Sequence, residues 1–302
     1  MRILATSKAL SKLTHQKGTE GNESLLNDED VLTPWGRRKV AILSGNAIRN
    51  RMVRNPGAQH LVESLGISGS LTRDILGLLY HGGLRREKSM LVSTAKIADM
   101  QRLFPLLDLL GCCLPEDIVA GKLKCMVGLL ACYENADRIN ALTPEDWTFG
   151  NLPSASSFYG RYQYVRGKLT ADQLAAASDD GADNKMMPFS GTCVVPGAVF
   201  VHGFSAAGAT QLHYGCVMNC LSQWDGTIGG NSSKGHGVLQ TKVQNHPEWS
   251  ASESIELYND HISDNAAECR DWLEQCYVKP AKKASKKSKA KAKDKRKLIP
   301  DA

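Results

Sequence analysis

Five glycines fall within twelve residues near the C-terminal third, in Gly226-Thr227-Ile228-Gly229-Gly230-Asn231-Ser232-Ser233-Lys234-Gly235-His236-Gly237. The stretch lies between a helix-patterned segment and the strand-patterned residues 238–243. Glycine tolerates φ > 0 and lets the backbone come close to a ligand. Ser232, Ser233, Lys234 and His236 add donors among the glycines. Such a loop is suited to a phosphate backbone held by N–H groups with a cation beside it. It is not a P-loop, because Ser233 precedes Lys234 and Gly235 follows it. It is not a dinucleotide fingerprint either, since no third glycine follows Gly235-His236-Gly237 at the required spacing. An extended phosphodiester chain fits better than ATP or NAD.

The chain has 302 residues, 42% of them hydrophobic, enough for one large domain or two small ones. No apolar run is long enough to cross a membrane, and the N-terminus carries no sustained apolar stretch. A cytoplasmic protein without membrane contact is predicted. Nine cysteines show no CxxC pair, which points to reduced core thiols and no metal site. No cofactor is predicted. Residues 280–302 hold nine lysines and Arg296 against Asp294 and Asp301, net +8, so the rest of the chain is close to neutral at −2. This tail has no aromatic residue and cannot form a core; it serves either non-specific nucleic-acid contact or solubility.

Within that near-neutral body, residues 31–62 contain no Asp or Glu but carry Arg37, Arg38, Lys39, Arg49, Arg51 and Arg54. Val40-Ala41-Ile42-Leu43 reads as a buried strand end. Ser44 is a good N-cap, and a helix is predicted over residues 47–54, stopped by Asn55-Pro56-Gly57. The wheel puts Ile48 and Met52 inside, with Asn50 and Arg54 nearly opposite. Helix N-termini attract phosphates through unpaired N–H groups and the dipole, so Ser44, Asn46 and the following arginines are candidates.

Residues 2–6 read as a first strand, 17–30 as a polar loop, and 68–80, 93–110 and 118–133 as helices, with a kink at Pro105. In Tyr159-Gly160-Arg161-Tyr162-Gln163-Tyr164-Val165-Arg166-Gly167-Lys168, strand alternation puts Tyr162, Tyr164, Arg166 and Lys168 on one face. Aromatics interleaved with cations suit single-stranded nucleic acid, with stacking for bases and charge for phosphates. Residues 169–184 read as an exposed acidic excursion. Residues 192–204 give two apolar strands bent at Pro196-Gly197. Thr210, Tyr214, Val217, Met218, Leu221 and Trp224 follow at helical spacing, and 252–277 read as one amphipathic helix.

Two of these segments carry a family resemblance. Leu43-Ser44-Gly45-Asn46-Ala47-Ile48-Arg49-Asn50 is similar to the pattern (P/S)-G-(N/S)-x-(I/L)-(R/K) that leads into the first helix of the RAMP superfamily. Residues 228–237 resemble its C-terminal glycine-rich loop, and the two matches frame most of residues 1–245. The chain most resembles the backbone subunit, the Cas-seven group, of CRISPR effector complexes; its compact length and basic tail resemble type IV systems. The resemblance implies an α+β fold with a ferredoxin-like (RRM-like) core, a helical insertion and a thumb-like hairpin insertion. The expected layout is a palm core at 1–65 and 186–278, a helical insertion at 66–136, a thumb at 137–185 and a disordered tail at 279–302.

It also implies a non-catalytic subunit that polymerises helically along CRISPR RNA and presents the guide to a target nucleic acid. Its partners would be copies of itself and other effector subunits. Ser44, Asn46, Arg49, Arg51 and Arg54 would grip guide phosphates. Gly230, Ser232, Lys234, Gly235 and His236 would line the same groove, with Tyr162, Tyr164 and Arg166 in the thumb. A target-RNA-cleaving relative would place an acid before the first helix, which here is Asp28 or Asp30. An RNA-processing endonuclease would use His15 as general base, for which the sequence offers no evident partner.

Overall fold

The computed structural model describes residues 1–21, 23–83, 94–114, 117–144, 150–165, 188–244 and 246–277. Arg166, Lys168, the excursion at 169–184 and the lysine-rich tail lie outside them.

The main sheet has the order β13 (Leu239–Val243), β1 (Arg2–Ala9), β12 (Val199–Ala206), β9 (Gly128–Leu130), β5 (Gly36–Leu43), β4 (Asp28–Thr33). β8 (Leu123–Cys125) pairs with β12 beside β9, and the Met126 N–H bonds the Gly203 carbonyl to bridge the two. All these pairings are antiparallel. One helical run covers α1 (Gly45–Ile48), a π-helical segment (Arg49–Arg54) and α2 (Asn55–Ser64). Taken with α7 (Gln211–Gln223), it completes a βαββαβ order: β1, helix, β8/β9, β12, helix, β13. The strand order last, first, third, second is the ferredoxin-like, or RRM-like, arrangement. β4 and β5 extend it as a hairpin.

The two faces of this sheet differ. Directly opposed residues of β1 and β12 point the same way. Ile3, Ala9, Phe200 and Phe204 join a large core with Ile48, Met52, Leu61, Tyr214 and Val217 from the helices. On the other face Leu129, Ala131 and Val201 pack on Ile139 of α6 (Ala136–Leu142). Further helices are α3 (Arg73–His81), α4 (Thr94–Leu103), α5 (Pro105–Leu110), α8 (Ala251–Asp264) and α9 (Ala266–Tyr277). A small sheet pairs β6 (Gly111–Cys113) with β7 (Ile118–Ala120).

A third sheet has the order β10 (Tyr159–Val165), β11 (Pro188–Val194), β3 (Glu23–Leu26), β2 (Gln16–Glu20). The chain leaves it for the main sheet at Gly197, where φ is +94°. The bend predicted at Pro196-Gly197 is therefore a change of sheet. The two sheets are tied where Leu13 bridges Val194 and where the Ile42 N–H bonds the Asn27 carbonyl.

Several expectations are corrected. Residues 17–30 form β2, β3 and the start of β4 instead of a loop. Residues 118–133 form strands instead of a helix, and β9 enters the core sheet. Asn55-Pro56-Gly57 does not stop the helix. The Asn55 N–H bonds the Asn50 carbonyl in i→i+5 register, and Pro56 follows at the first turn of α2, where a missing N–H does least harm. The single helix at 252–277 breaks at Asn265 into α8 and α9. The kink at Pro105 is present as the boundary between α4 and α5.

Candidate nucleic-acid interface

Thr14, His15 and Gln16 lead from β1 into β2 of the third sheet, and each holds a different part of the site. Thr14 is bonded twice to Gly230: the Gly230 N–H donates to the Thr14 carbonyl at 2.7 Å, and the Thr14 side-chain hydroxyl donates to the Gly230 carbonyl at 2.5 Å. His15 Nε2 accepts from the Ser44 N–H at 3.1 Å and from Asn27 Nδ2 at 3.0 Å. Gln16 Nε2 donates to the Tyr162 hydroxyl at 2.7 Å. One short segment therefore draws together the glycine loop, the start of the first helix and the tyrosine strand.

The glycine loop is shaped by its backbone. Gly229 has φ +92° and Gly237 φ +83°; a Cβ at Gly237 would lie 2.1 Å from the Ile228 carbonyl oxygen, and one at Gly229 2.7 Å from that of Thr14. Asn231 takes the left-handed conformation that opens a 3-10 turn over Ser232–Lys234. The N–H groups of Gly230, Lys234, Gly235, His236 and Gly237 all bond backbone carbonyls at Thr14, Asn231, Ser232, Asn231 and Lys12. The expected phosphate cradle of N–H groups is therefore not what Gly230 and Gly235 supply, since their N–H groups close the loop. What faces outward is the exposed Ser232, Ser233 and Lys234.

These side chains meet β10. Lys234 Nζ stands 2.8 Å from the centroid of the Tyr164 ring. His236 meets Tyr162 edge-on at 5.4 Å, and Tyr162 and Tyr164 stack in parallel at 6.3 Å. Tyr164 also stacks on Phe189 across the β10–β11 pair at 5.4 Å. Strand alternation thus places both tyrosines on one face, as predicted. Tyr162 is nearly buried, however, at 6% exposure, so Tyr164 is the more open of the two rings. Gly191 opposite makes this possible, because a Cβ there would lie 2.7 Å from the Tyr162 hydroxyl.

Charge at the site is positive. Burial lowers the His236 pKa, and the nearby Lys12 and Lys234 lower it further. His236 Nδ1 is buried with no hydrogen-bond partner among the described residues. A neutral imidazole near two ammonium groups, with partly exposed Tyr164 at the same surface, is an arrangement that polyanions with planar bases can use.

The first helix contributes less than expected. The Ser44 hydroxyl accepts the Ala47 N–H at 3.2 Å and so acts as the N-cap. Asn46 is exposed and accepts from Asn50. Arg51 is exposed, whereas Arg49 turns inward to the Leu110 carbonyl. Arg54 is only 5% exposed and donates to the Leu79 and Gly111 carbonyls, both at 3.4 Å. Burial, then Arg49, lowers its pKa to about 10. The π segment explains this reversal. Its wider turn changes the angular phase, so a residue that an α-helical wheel places outside comes round to the inside. Arg54 is therefore structural, not phosphate-facing, while Arg49 is half-buried and engaged with the Leu110 carbonyl.

The residues of the alternative readings are engaged too. Both oxygens of Asp28 accept from Lys17, at 2.9 and 3.0 Å, and Asp30 faces Arg37 at 3.7 Å. Both acids lie on strand β4. The Nε2 lone pair of His15 is already taken by two N–H donors, and burial lowers its pKa, which does not suit a general base. No group of His, Cys, Asp and Glu among the described residues is placed to hold a metal ion, and no helix among them is long and apolar enough to cross a membrane.

Thr14 and Gln16 carry no motif and were missed by the sequence reading; only strand pairing over more than 140 positions gives them their roles. No protein-family model matches the chain, and no curated protein matches it in sequence. Among solved structures, it is similar to a chain of a "Type IV-B CRISPR Complex", with a TM-score of 0.57 and 15% identity, over 85% of this chain and 99% of that one. The two chains share a fold built on the ferredoxin-like core.

Proposed function

We propose that this protein is a CRISPR RNA-binding backbone subunit of a type IV-like effector complex, one that polymerises along the guide and presents it for pairing with a target. The observation that carries the reading is the convergence of Tyr164, Lys234 and His236 on one surface, organised by residues 14–16. A partly exposed aromatic ring with a cation over it suits a single strand irrespective of its sequence. Guide sequence would then be read by base pairing, with the protein contacting backbone shape. The shared fold with a chain of a type IV-B CRISPR complex supports the same assignment. In this reading the subunit is a scaffold without a catalytic step, and the exposed Ser232, Ser233, Asn46 and Arg51 are further contacts for the strand.

The test is to express the protein with a matching CRISPR array and complete effector genes, purify it, and examine its nucleic acid and its particles by negative-stain microscopy. Discrete guide-length RNA in elongated particles is the expected result. Protein free of RNA, or RNA bound without assembly, would refute the reading.

A further inference from the structure

The β4–β5 hairpin carries an exposed aromatic and cationic surface that the groove does not include. Surface apolar side chains scattered singly need no explanation, but here Trp35 and Tyr133 lie together, with exposed Leu32 on the same hairpin as Trp35. Leu32 is 85% exposed, Trp35 64% and Tyr133 49%, and the Trp35 and Tyr133 rings approach to 5.5 Å. Tryptophan is usually well covered in a folded chain. Arg37, Arg38 and Lys39 follow on β5 and are all exposed, Arg37 and Lys39 on one face of the strand and Arg38 on the other. Asp30, at 3.7 Å from Arg37, is the only acid ion-paired to these cations among the described residues.

This surface is held in shape. The Thr33 hydroxyl donates to the Gly36 carbonyl across the turn, and Gly36 has φ +102°. At the hairpin's base Glu29 pairs with Arg138, which also donates to Asn135, and Asn135 in turn donates to the Leu130 carbonyl of β9. Tyr159 of β10 donates to the Lys39 carbonyl and accepts the Ala41 N–H. The hairpin is thus braced to both sheets, and its strand β5 runs directly into Ser44 at the start of the first helix. At about 3.3 Å per residue, the exposed tip lies roughly 25 Å from that end of the groove.

We infer that this hairpin is a second single-stranded nucleic-acid contact, with Trp35 as a stacking surface for a base and Arg37, Arg38 and Lys39 as phosphate ligands. The charge decides the occupant: exposed cations on both faces of β5, with Asp30 the acid opposite Lys39, flank an exposed indole and match a polyanion that carries planar bases and wraps the hairpin tip. The inference rests on the RNA-binding reading above but assigns a separate surface, so the two can fail separately.

The experiment is fluorescence anisotropy of an end-labelled uridine homopolymer with the full-length protein, over a salt series. Trp35→Ala is expected to weaken binding roughly 5- to 100-fold, with Trp35→Phe restoring most of it. Combined Arg37→Ala, Arg38→Ala and Lys39→Ala is expected to flatten the dependence of log Kd on log salt. Unchanged thermal melts would confirm that these exposed substitutions leave the fold intact, and ultraviolet crosslinking should attach RNA to the peptide holding Trp35. Wild-type protein that binds no RNA would overturn the proposed function and this inference with it. Normal RNA binding by both variants, with no crosslink at Trp35, would overturn the inference alone. So would a Trp35→Ala protein whose only change is lost self-association in RNA-free sedimentation, which would assign the patch to a second copy of the chain.

Discussion

Lys234 and Tyr164 form a composite in which each needs the other: the ring positions the ammonium, and the ammonium marks where a phosphate would lie beside a stacked base. Lys234→Ala should weaken RNA binding uniformly across sequences and lower the salt slope by about one ion. Tyr164→Ala should cost about 1–3 kcal/mol of RNA affinity with little change in that slope. Anisotropy titrations across a salt series separate the two, and equal slopes for both variants would disprove the division of roles. Arg54 gives the opposite case, a cation that looks available in sequence and is not. Its guanidinium satisfies two backbone carbonyls in the interior, with Gly82 close over it. Arg54→Ala should therefore destabilise the fold by about 2–4 kcal/mol in urea titrations, because it leaves buried acceptors unpaired and a cavity behind. Arg51→Ala on the exposed side should shift stability by no more than about 0.5 kcal/mol. A stable Arg54→Ala protein with reduced RNA affinity would return Arg54 to the interface.

At the level of elements, α7 and α8 pack with almost no space between their backbones. A Cβ on Gly215 would stand 1.9 Å from the Ser254 carbonyl oxygen, so the helices touch main chain to main chain. Gly215→Ala must push them apart and should cost about 3 kcal/mol, read as a lowered urea midpoint, while Gly77→Ala, with open space around it, serves as the control. This contact also sets which face of α8 is buried. Ser254, Tyr258 and Ile262 are buried, whereas Leu257 is 43% exposed, because close approach at Gly215 favours a small polar residue over a large apolar one. Elements set by local signals were legible: β1, the capped start at Ser44, the break at Pro105, and the tyrosine alternation on β10. Those set by distant partners were not. The apolar spacing of residues 118–133 suits a helix, and only pairing with β12 across some seventy positions makes strands of it. In the same way the glycine loop was recognisable, but its N–H groups were assigned outward because nothing local announces that Lys12 and Thr14 will take them.

For the molecule as a whole, two histidines sit where the structure tolerates only the neutral ring. His202 lies in the middle of the main sheet, fully buried, with Nε2 at 2.8 Å from the Ser7 hydroxyl, which in turn contacts Thr241 on β13. Burial lowers its pKa to about 4. His15 joins the two sheets by accepting two N–H bonds at Nε2, and burial lowers its pKa as well. Both folded values lie below the ordinary 6.5, so the unfolded chain binds more protons in acid. The stability these groups contribute is complete above about pH 6.5 and is lost as pH falls below it, for His202 down to about 4. For His202 alone the loss between pH 7 and 5 is about 2 kcal/mol. Asp108 acts in a lower window. Burial alone would raise its pKa, but hydrogen bonds from His213 and Lys122 override that and hold it below the carboxylate value, so its contribution fades only at more acid pH. Urea midpoints at pH 7 and 5 test the assignment, with His202→Gln expected to remove about 2 kcal/mol of the acid-induced loss while changing little at pH 7. An equal pH dependence in wild type and variant would show that the ring does not titrate against the fold. Because Ser7 on β1 contacts His202 on β12 and Thr241 on β13, acid should loosen the main sheet at β13, into which the glycine loop leads, and RNA affinity should then fall with stability over the same interval.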